Sequence, residues 1–182
     1  MAKLVSKTYG EALFELACEE NKTDVLFEEV KAVSEALKDN KDFLNFLNNP
    51  KINVEEKHQL VEDVFKQFVS ADLIGFIRLI IEKNRQNELE AILEYFIAQV
   101  KEYKNIGVVY VTTPVELNDK QKENVVNKVL ETTKYETLEM NYSIDETLLG
   151  GMVIRIGDRV VDSSIKTKLE DMTRELYNLR VE

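Results

Sequence analysis

Apolar residues in the first part of the chain recur every three or four places, and further on the period drops to two. Val5, Tyr9, Ala12, Leu13 and Leu16 fall at helical spacing and predict a first helix. Thr23 is placed to cap a second helix, with Leu26, Val30, Val33 and Leu37 on its apolar face. A short third helix through Phe43, Leu44, Phe46 and Leu47 stops before Asn49-Pro50, because the residue before proline resists the α region. Asn53 with Glu56 three places on reads as a capping box for a fourth helix carrying Leu60, Val61, Val64, Phe65 and Phe68. Ser70 caps a fifth helix, 71–84, apolar over most of its circumference, which marks the centre of a bundle. Leu89, Ile92, Leu93, Phe96, Val100 and Tyr103 line a sixth.

The period then changes. The β-branched run 107–115, GVVYVTTPV, predicts a strand. Asn118 and Gln121 form a capping box ahead of a helix striped by Val125, Val126, Val129 and Leu130. In TLEMNYSI, Leu138, Met140, Tyr142 and Ile144 alternate with polar residues, as in a half-buried strand. MVIRI and RVVD follow as a hairpin turned at Gly157-Asp158, with Gly150-Gly151 as a kink at its start. Asp162, Ser163 or Ser164 caps a last helix whose apolar residues, Ile165, Leu169, Met172, Leu176 and Leu179, are spaced 4, 3, 4 and 3. That stripe is expected to cover the small sheet. The fold class is α+β: an antiparallel six-helix bundle over residues 1–104, then a small α/β domain over 105–182 ordered strand, helix, strand, hairpin, helix.

Composition narrows the function. Only 2 prolines and 6 glycines suit long helices. The net charge of −10, with both signs interspersed, disfavours nucleic acid and anionic lipid, which call for a positive footprint. No apolar run reaches the roughly 18 residues of a membrane span, and the start MAKLVSKTYGEALF has no signal-peptide core.

Candidate chemistry is sparse. His58 has no second histidine or neighbouring cysteine, so a metal site lacks ligands and a surface helix residue is expected. Cys18 reads as a half-buried structural thiol. Glu19-Glu20, Glu28-Glu29 and Glu55-Glu56 read as solvated helix faces, and Asp145-Glu146 as turn chemistry. A phosphate loop needs G-x-x-x-x-G-K-[ST]; here strand residues separate Gly151 from Gly157, and Asp158 would repel phosphate. No catalytic residue, cofactor or metal is expected.

The stretch LLGGMVIRIGDRVVDSSIKTKLEDM resembles the C-terminal region of the delta subunit of bacterial F-type ATP synthases, a family homologous to the mitochondrial subunit that confers oligomycin sensitivity. Gly150, Gly151, Gly157, Asp162 and Ser164 carry the resemblance. YGEALFELA resembles that family's first helix, and LIGFIRLIIEKNRQNELEAILEYF its fifth and sixth.

The resemblance implies a non-catalytic stator subunit at the cytoplasmic face of the bacterial cell membrane, peripheral and without membrane insertion. Its helical domain would grip N-terminal helices of the alpha subunits, and its C-terminal domain would meet the C-terminal region of the b subunits. Contact candidates on the first and fifth helices are Tyr9, Leu13, Phe14, Phe76, Leu79 and Ile80. At about 100° per residue, Phe14 lies nearly opposite the main stripe of its helix and Leu79 well off the centre of its own. The alternatives are a free-standing helical adaptor and an enzyme with an unrecognised site.

Overall fold

The computed structural model describes residues 2–179, and side chains over that span except at 2, 3, 170, 171 and 175–179. Among these residues it is a mixed α and β fold with eight α-helices and one four-stranded sheet. The chain divides into two compact units, Met1–Lys101 and Glu102–Glu182, and the division falls in the last turn of a helix.

The first unit holds α1 (Ala2–Glu19), α2 (Thr23–Asp39), α3 (Lys41–Asn48), α4 (Val54–Phe65), α5 (Ala71–Glu82) and most of α6 (Leu89–Tyr103). Its core is built from the predicted stripes: Leu13, Leu26, Val30, Leu37, Leu47, Val61, Leu73, Ile77, Ile80, Ile92, Leu93 and Phe96 are all buried. Phe43 of α3 meets Phe65 of α4 edge to face, with centroids 5.5 Å apart. Gly10 lets α1 approach α6, since a Cβ there would come within 2.5 Å of the Tyr95 ring.

Three helices end on asparagine rather than glycine. Asn21, Asn84 and Asn105 each have φ of 53°, the left-handed conformation that closes a helix. After α1, Lys22 N–H donates to the Ala17 carbonyl and Asn21 N–H to that of Cys18; Arg85 and Asn84 repeat the pattern on Ile80 and Ile81 after α5. Asparagine tolerates this region because its short amide can bond locally. The chain thus closes its helices with few glycines.

Polar side chains fix the helix ends to one another. The Ser70 N–H and hydroxyl donate to the Glu29 carboxylate of α2 at 3.0 and 2.7 Å, and Ser70 Oγ in turn accepts from Leu73 N–H as the N-cap of α5. Glu29→Ala would leave that half-buried N–H without its acceptor. We expect a loss of about 1–2 kcal/mol, read as a lower urea midpoint at unchanged m-value. Lys22 bonds Asp72 at 2.8 Å and Glu20 at 2.6 Å; the bond to Asp72, then that to Glu20, raises its pKa above the usual lysine range. The start of α5 is thereby tied to the turn between α1 and α2, and the 3-10 turn Gln86–Glu88 beyond its other end packs on α1.

The second unit opens with β1 (Ile106–Thr113), followed by α7 (Asp119–Thr132), β2 (Thr137–Ile144), β3 (Val153–Ile156), β4 (Arg159–Asp162) and α8 (Ile165–Leu179). The sheet order is β2-β1-β3-β4. β1 and β2 are parallel, joined through α7, and the remaining pairs are antiparallel. In register, Val109 lies beside Met140 and Ile156, and Val111 beside Tyr142 and Ile154. Val109 and Val111 are fully buried with Val125 and Val129 of α7. The Asn118–Gln121 capping box forms as predicted, with both bonds at 2.9 Å.

Several expectations are corrected. Thr23 is the first residue of α2 rather than its cap; Lys22 holds that place without a side-chain capping bond. Asn53 does cap α4, but it accepts from Val54 N–H and the box with Glu56 is not made. α4 stops at Phe65, so Phe68 lies beyond the helix, 78% exposed. The strand predicted over 107–115 ends at Thr113, whose hydroxyl turns to the Val115 carbonyl.

The described part of the last-helix stripe does not cover the sheet. Ile165, Leu169 and Met172 are exposed. One sheet face is already filled by α7, and the other shows Tyr110, Arg155 and Val160 to solvent. The side chains of Leu176 and Leu179 lie outside the described residues.

Candidate functional site

No group of three or more histidine, cysteine or acidic side chains is placed to hold a metal among the described residues. Cys18 is half-buried. His58 departs from expectation: it is half-buried, and its Nε2 is enclosed without a hydrogen-bond partner.

An open cleft of about 270 Å³ lies at the carboxyl ends of β1 and β2, where α/β folds often seat ligands. Thr113, Glu116, Leu117, Lys122 and Tyr142 line it. The Gln121 N–H at the start of α7 is already taken by Asn118, and the Lys122 ammonium lies over the Tyr142 ring, 5.5 Å from its centroid. Burial raises the Tyr142 pKa, away from any role as a base near neutral pH. No nucleophile and base are brought together there.

The contact candidates on α1 and α5 separate into two groups. Leu13 and Ile80 are fully buried and Phe76 nearly so, so the chain's own core holds them. Tyr9 and Phe14 are half-buried against that core, each with part of its ring outward. Leu79 is 41% exposed, next to Arg78, which bonds Glu62 of α4 at 2.8 Å.

One residue was missed in the sequence. Gly75 sits one turn before Leu79 on the same face of α5, and a Cβ added there would meet nothing within 4 Å. A mid-helix glycine costs about 0.5–1 kcal/mol relative to alanine, and no packing within the chain requires it. The gap in a run of large apolar residues was the signal. We expect Gly75→Ala to raise the melting temperature by the equivalent of about 0.5–1 kcal/mol in thermal denaturation.

In the second unit the signature residues other than Gly157 converge on the start of α8. Ser163 N–H and Oγ both donate to the Met152 carbonyl, at 3.0 and 2.9 Å, and Ile165 N–H donates to Gly150 at 2.9 Å. Gly151 has φ of 83°, and a Cβ there would run into the Ser163 carbonyl oxygen. Gly157 turns the hairpin at φ of 54° in open space. Asp162 accepts from Ser164 N–H at 2.8 Å and from the Thr167 hydroxyl at 2.7 Å, while Ser164 Oγ accepts from Thr167 N–H. Ser164, 1% exposed, is therefore the cap, with Asp162 bracing it.

The Ser164 N–H, then the Thr167 hydroxyl, hold the Asp162 carboxyl below the usual aspartate range. Its contribution to stability is present above the unfolded pKa of about 3.9 and is lost as pH falls through the lower folded value.

Residues 5–176 match the sequence pattern of the family described as ATP synthase delta (OSCP) subunit. The chain belongs to this family. An ATP synthase subunit delta from Lachnoclostridium phytofermentans is 52% identical over 181 residues, covering 100% of each chain. The counterpart from Desulforamulus reducens is 33% identical over 96% of both. Among solved structures, a chain in the cryo-EM structure of the Toxoplasma gondii mitochondrial ATP synthase hexamer shares the fold, with a TM-score of 0.78 at 19% identity, over 94% of this chain and 97% of that one. A delta-family subunit of this kind is a structural part of an ATP synthase, and no helix among its described residues is long and apolar enough to cross a membrane.

Proposed function

We propose that this chain is the stator link of an F-type ATP synthase. It joins the catalytic head to the peripheral stalk and keeps the head from turning with the rotor, so that rotation stays coupled to ion flow and ATP synthesis. The observation that carries this is the 52% identity over 181 residues with an ATP synthase subunit delta, covering 100% of each chain.

Residues 1–104 act as an antiparallel six-helix domain that receives N-terminal helices of the alpha subunits, and 105–182 as a small α/β domain that receives the C-terminal region of the b subunits. The chain works at the cytoplasmic face of the bacterial cell membrane as a peripheral component. On the alpha side, an amphipathic helix lies along α1 and α5, anchored on Leu79, Phe14 and Tyr9 over the floor of Leu13, Phe76 and Ile80. Gly75 gives its backbone room for close approach.

Titration of the full chain with a peptide of the alpha N-terminus from the same synthase tests this. Saturable binding and a melting temperature that climbs with peptide concentration are expected, by about 2.7 kcal/mol at a hundredfold excess over Kd. A chain indifferent to the peptide but stabilised by a nucleotide or metabolite would instead be an enzyme. One that does not co-purify with other synthase subunits from native membranes would be a free adaptor.

A further inference from the structure

Strand β2 stands at one edge of the sheet, eight residues long and in unbroken register with β1. Asp145 N–H donates to the Thr113 carbonyl, next to the pair Thr113 and Ile144. By the alternation of a parallel ladder, the odd-numbered residues of β2 therefore turn their backbone groups to β1. Those of Leu138, Met140, Tyr142 and Ile144 turn outward, and among the described residues no hydrogen bond reaches them there.

Proteins guard such edges with short strands, lysine, proline or a bulge. From Thr137 to Ile144 this strand has none of these. Beside it lies the open cleft of about 270 Å³, lined by Tyr142 and Ile144 of β2 and by Glu116, Leu117 and Lys122 around the start of α7. An unpaired strand next to a groove for a side chain is the arrangement by which an added strand is recognised.

Charge selects what is added. No lysine or arginine occurs from 135 to 154, whereas Glu136 and Glu146 are exposed just beyond the two ends of β2. A second copy of the chain fits poorly. An antiparallel self-pair centred on Asn141 would set Glu136 of one copy against Glu146 of the other.

We propose that the outer edge of β2 takes up an extended segment of a partner protein, apolar on one face and basic on the other. Its backbone pairs with Leu138, Met140, Tyr142 and Ile144. One apolar side chain enters the cleft against Leu117, Tyr142 and Ile144, and its cations meet Glu136 and Glu146. This contact lies beyond the alpha and b contacts proposed above.

The test uses the full chain and a capped synthetic octapeptide of alternating lysine and valine, by calorimetry and by hydrogen exchange resolved by residue. Binding should protect the amides of Leu138, Met140, Tyr142 and Ile144. Methylating the peptide at every valine nitrogen or at every lysine nitrogen removes the donors of one edge only. One of the two should weaken binding at least about tenfold and the other far less, because several hydrogen bonds are lost on the pairing side. Glu136→Lys with Glu146→Lys should weaken binding more at low salt than at high.

Equal effects of the two methylations, equal binding of a glutamate–valine octapeptide, or no binding at all would each overturn the proposal. So would a dimer of the chain alone that pairs through β2. Displacement of the peptide by the soluble domain of the b subunit would assign this edge to the stalk and overturn the separate contact, with the stator reading intact.

Discussion

Gly151→Val is expected to unfold much of the second unit at temperatures where the first stays intact. Two costs add at this position. The backbone at φ of 83° is a region that a β-branched residue adopts only under strain, worth about 1–3 kcal/mol. The new Cβ also meets the Ser163 carbonyl and the Ser164 Cα, which are backbone atoms strapped to Met152 and cannot swing aside. Together we expect about 3 kcal/mol or more, a large share of the stability of a small domain.

Gly157→Ala is the control. Its φ is also positive, but a Cβ there meets nothing, so only the conformational cost of about 1–2 kcal/mol remains. Hydrogen exchange resolved by residue separates the two. Gly151→Val should expose amides of β3, β4 and the first turn of α8, while those of α2 and α5 keep their protection. Equal effects of the two substitutions would mean that the Ser163 contact is not what requires glycine.

Leu79→Asp is expected to weaken alpha-peptide binding by about 2 kcal/mol, roughly 30-fold, with little change in the melting temperature. The separation follows from where the side chain sits: at 41% exposure it contributes modestly to the core, yet a partner helix would bury the remainder. Phe14→Asp lacks that separation. Its ring is half-buried against the bundle core, so the substitution lowers stability and binding together. Isothermal titration beside thermal denaturation reads both quantities. A Leu79→Asp chain that binds the peptide as tightly as the original would move the contact away from this face of α5.

The helices of the first unit were legible because each buries a stripe against the others, and that requirement writes a period of three or four into the sequence. Strands β2 and β4 were placed at their observed bounds, 137–144 and 159–162, because alternation and a glycine turn are both local signals. Local signals failed where two chemistries competed for one end. Thr23 looks like a cap, but Lys22 is drawn to Asp72 and Glu20, and the helix starts one residue earlier, at Thr23 itself. Phe68 keeps the helical spacing, yet α4 ends at Phe65, whose carbonyl accepts from both Phe68 and Val69 N–H in a tightened last turn.

Site residues were harder to place. Amphipathicity says that a side chain leaves solvent, not whether its own chain or another covers it. Leu13 and Ile80 therefore looked like contact residues and are core, whereas Ile165, Leu169 and Met172 looked like core and are exposed. Gly75 carries its information in what is missing, an unfilled position beside Leu79, and only coordinates show that the space around it is open.

The asparagine closures at Asn21, Asn84 and Asn105 offer a route to a hardened subunit. Each side chain adopts a left-handed backbone that glycine enters without a Cβ penalty, and none belongs to the anchors on α5 or the outer edge of β2. The three positions fall at separate helix ends, so gains made at them should add with little coupling. A version of this protein carrying glycine at all three would serve as a heat-tolerant part for reassembling synthases in the laboratory, with its two docking faces left as they are.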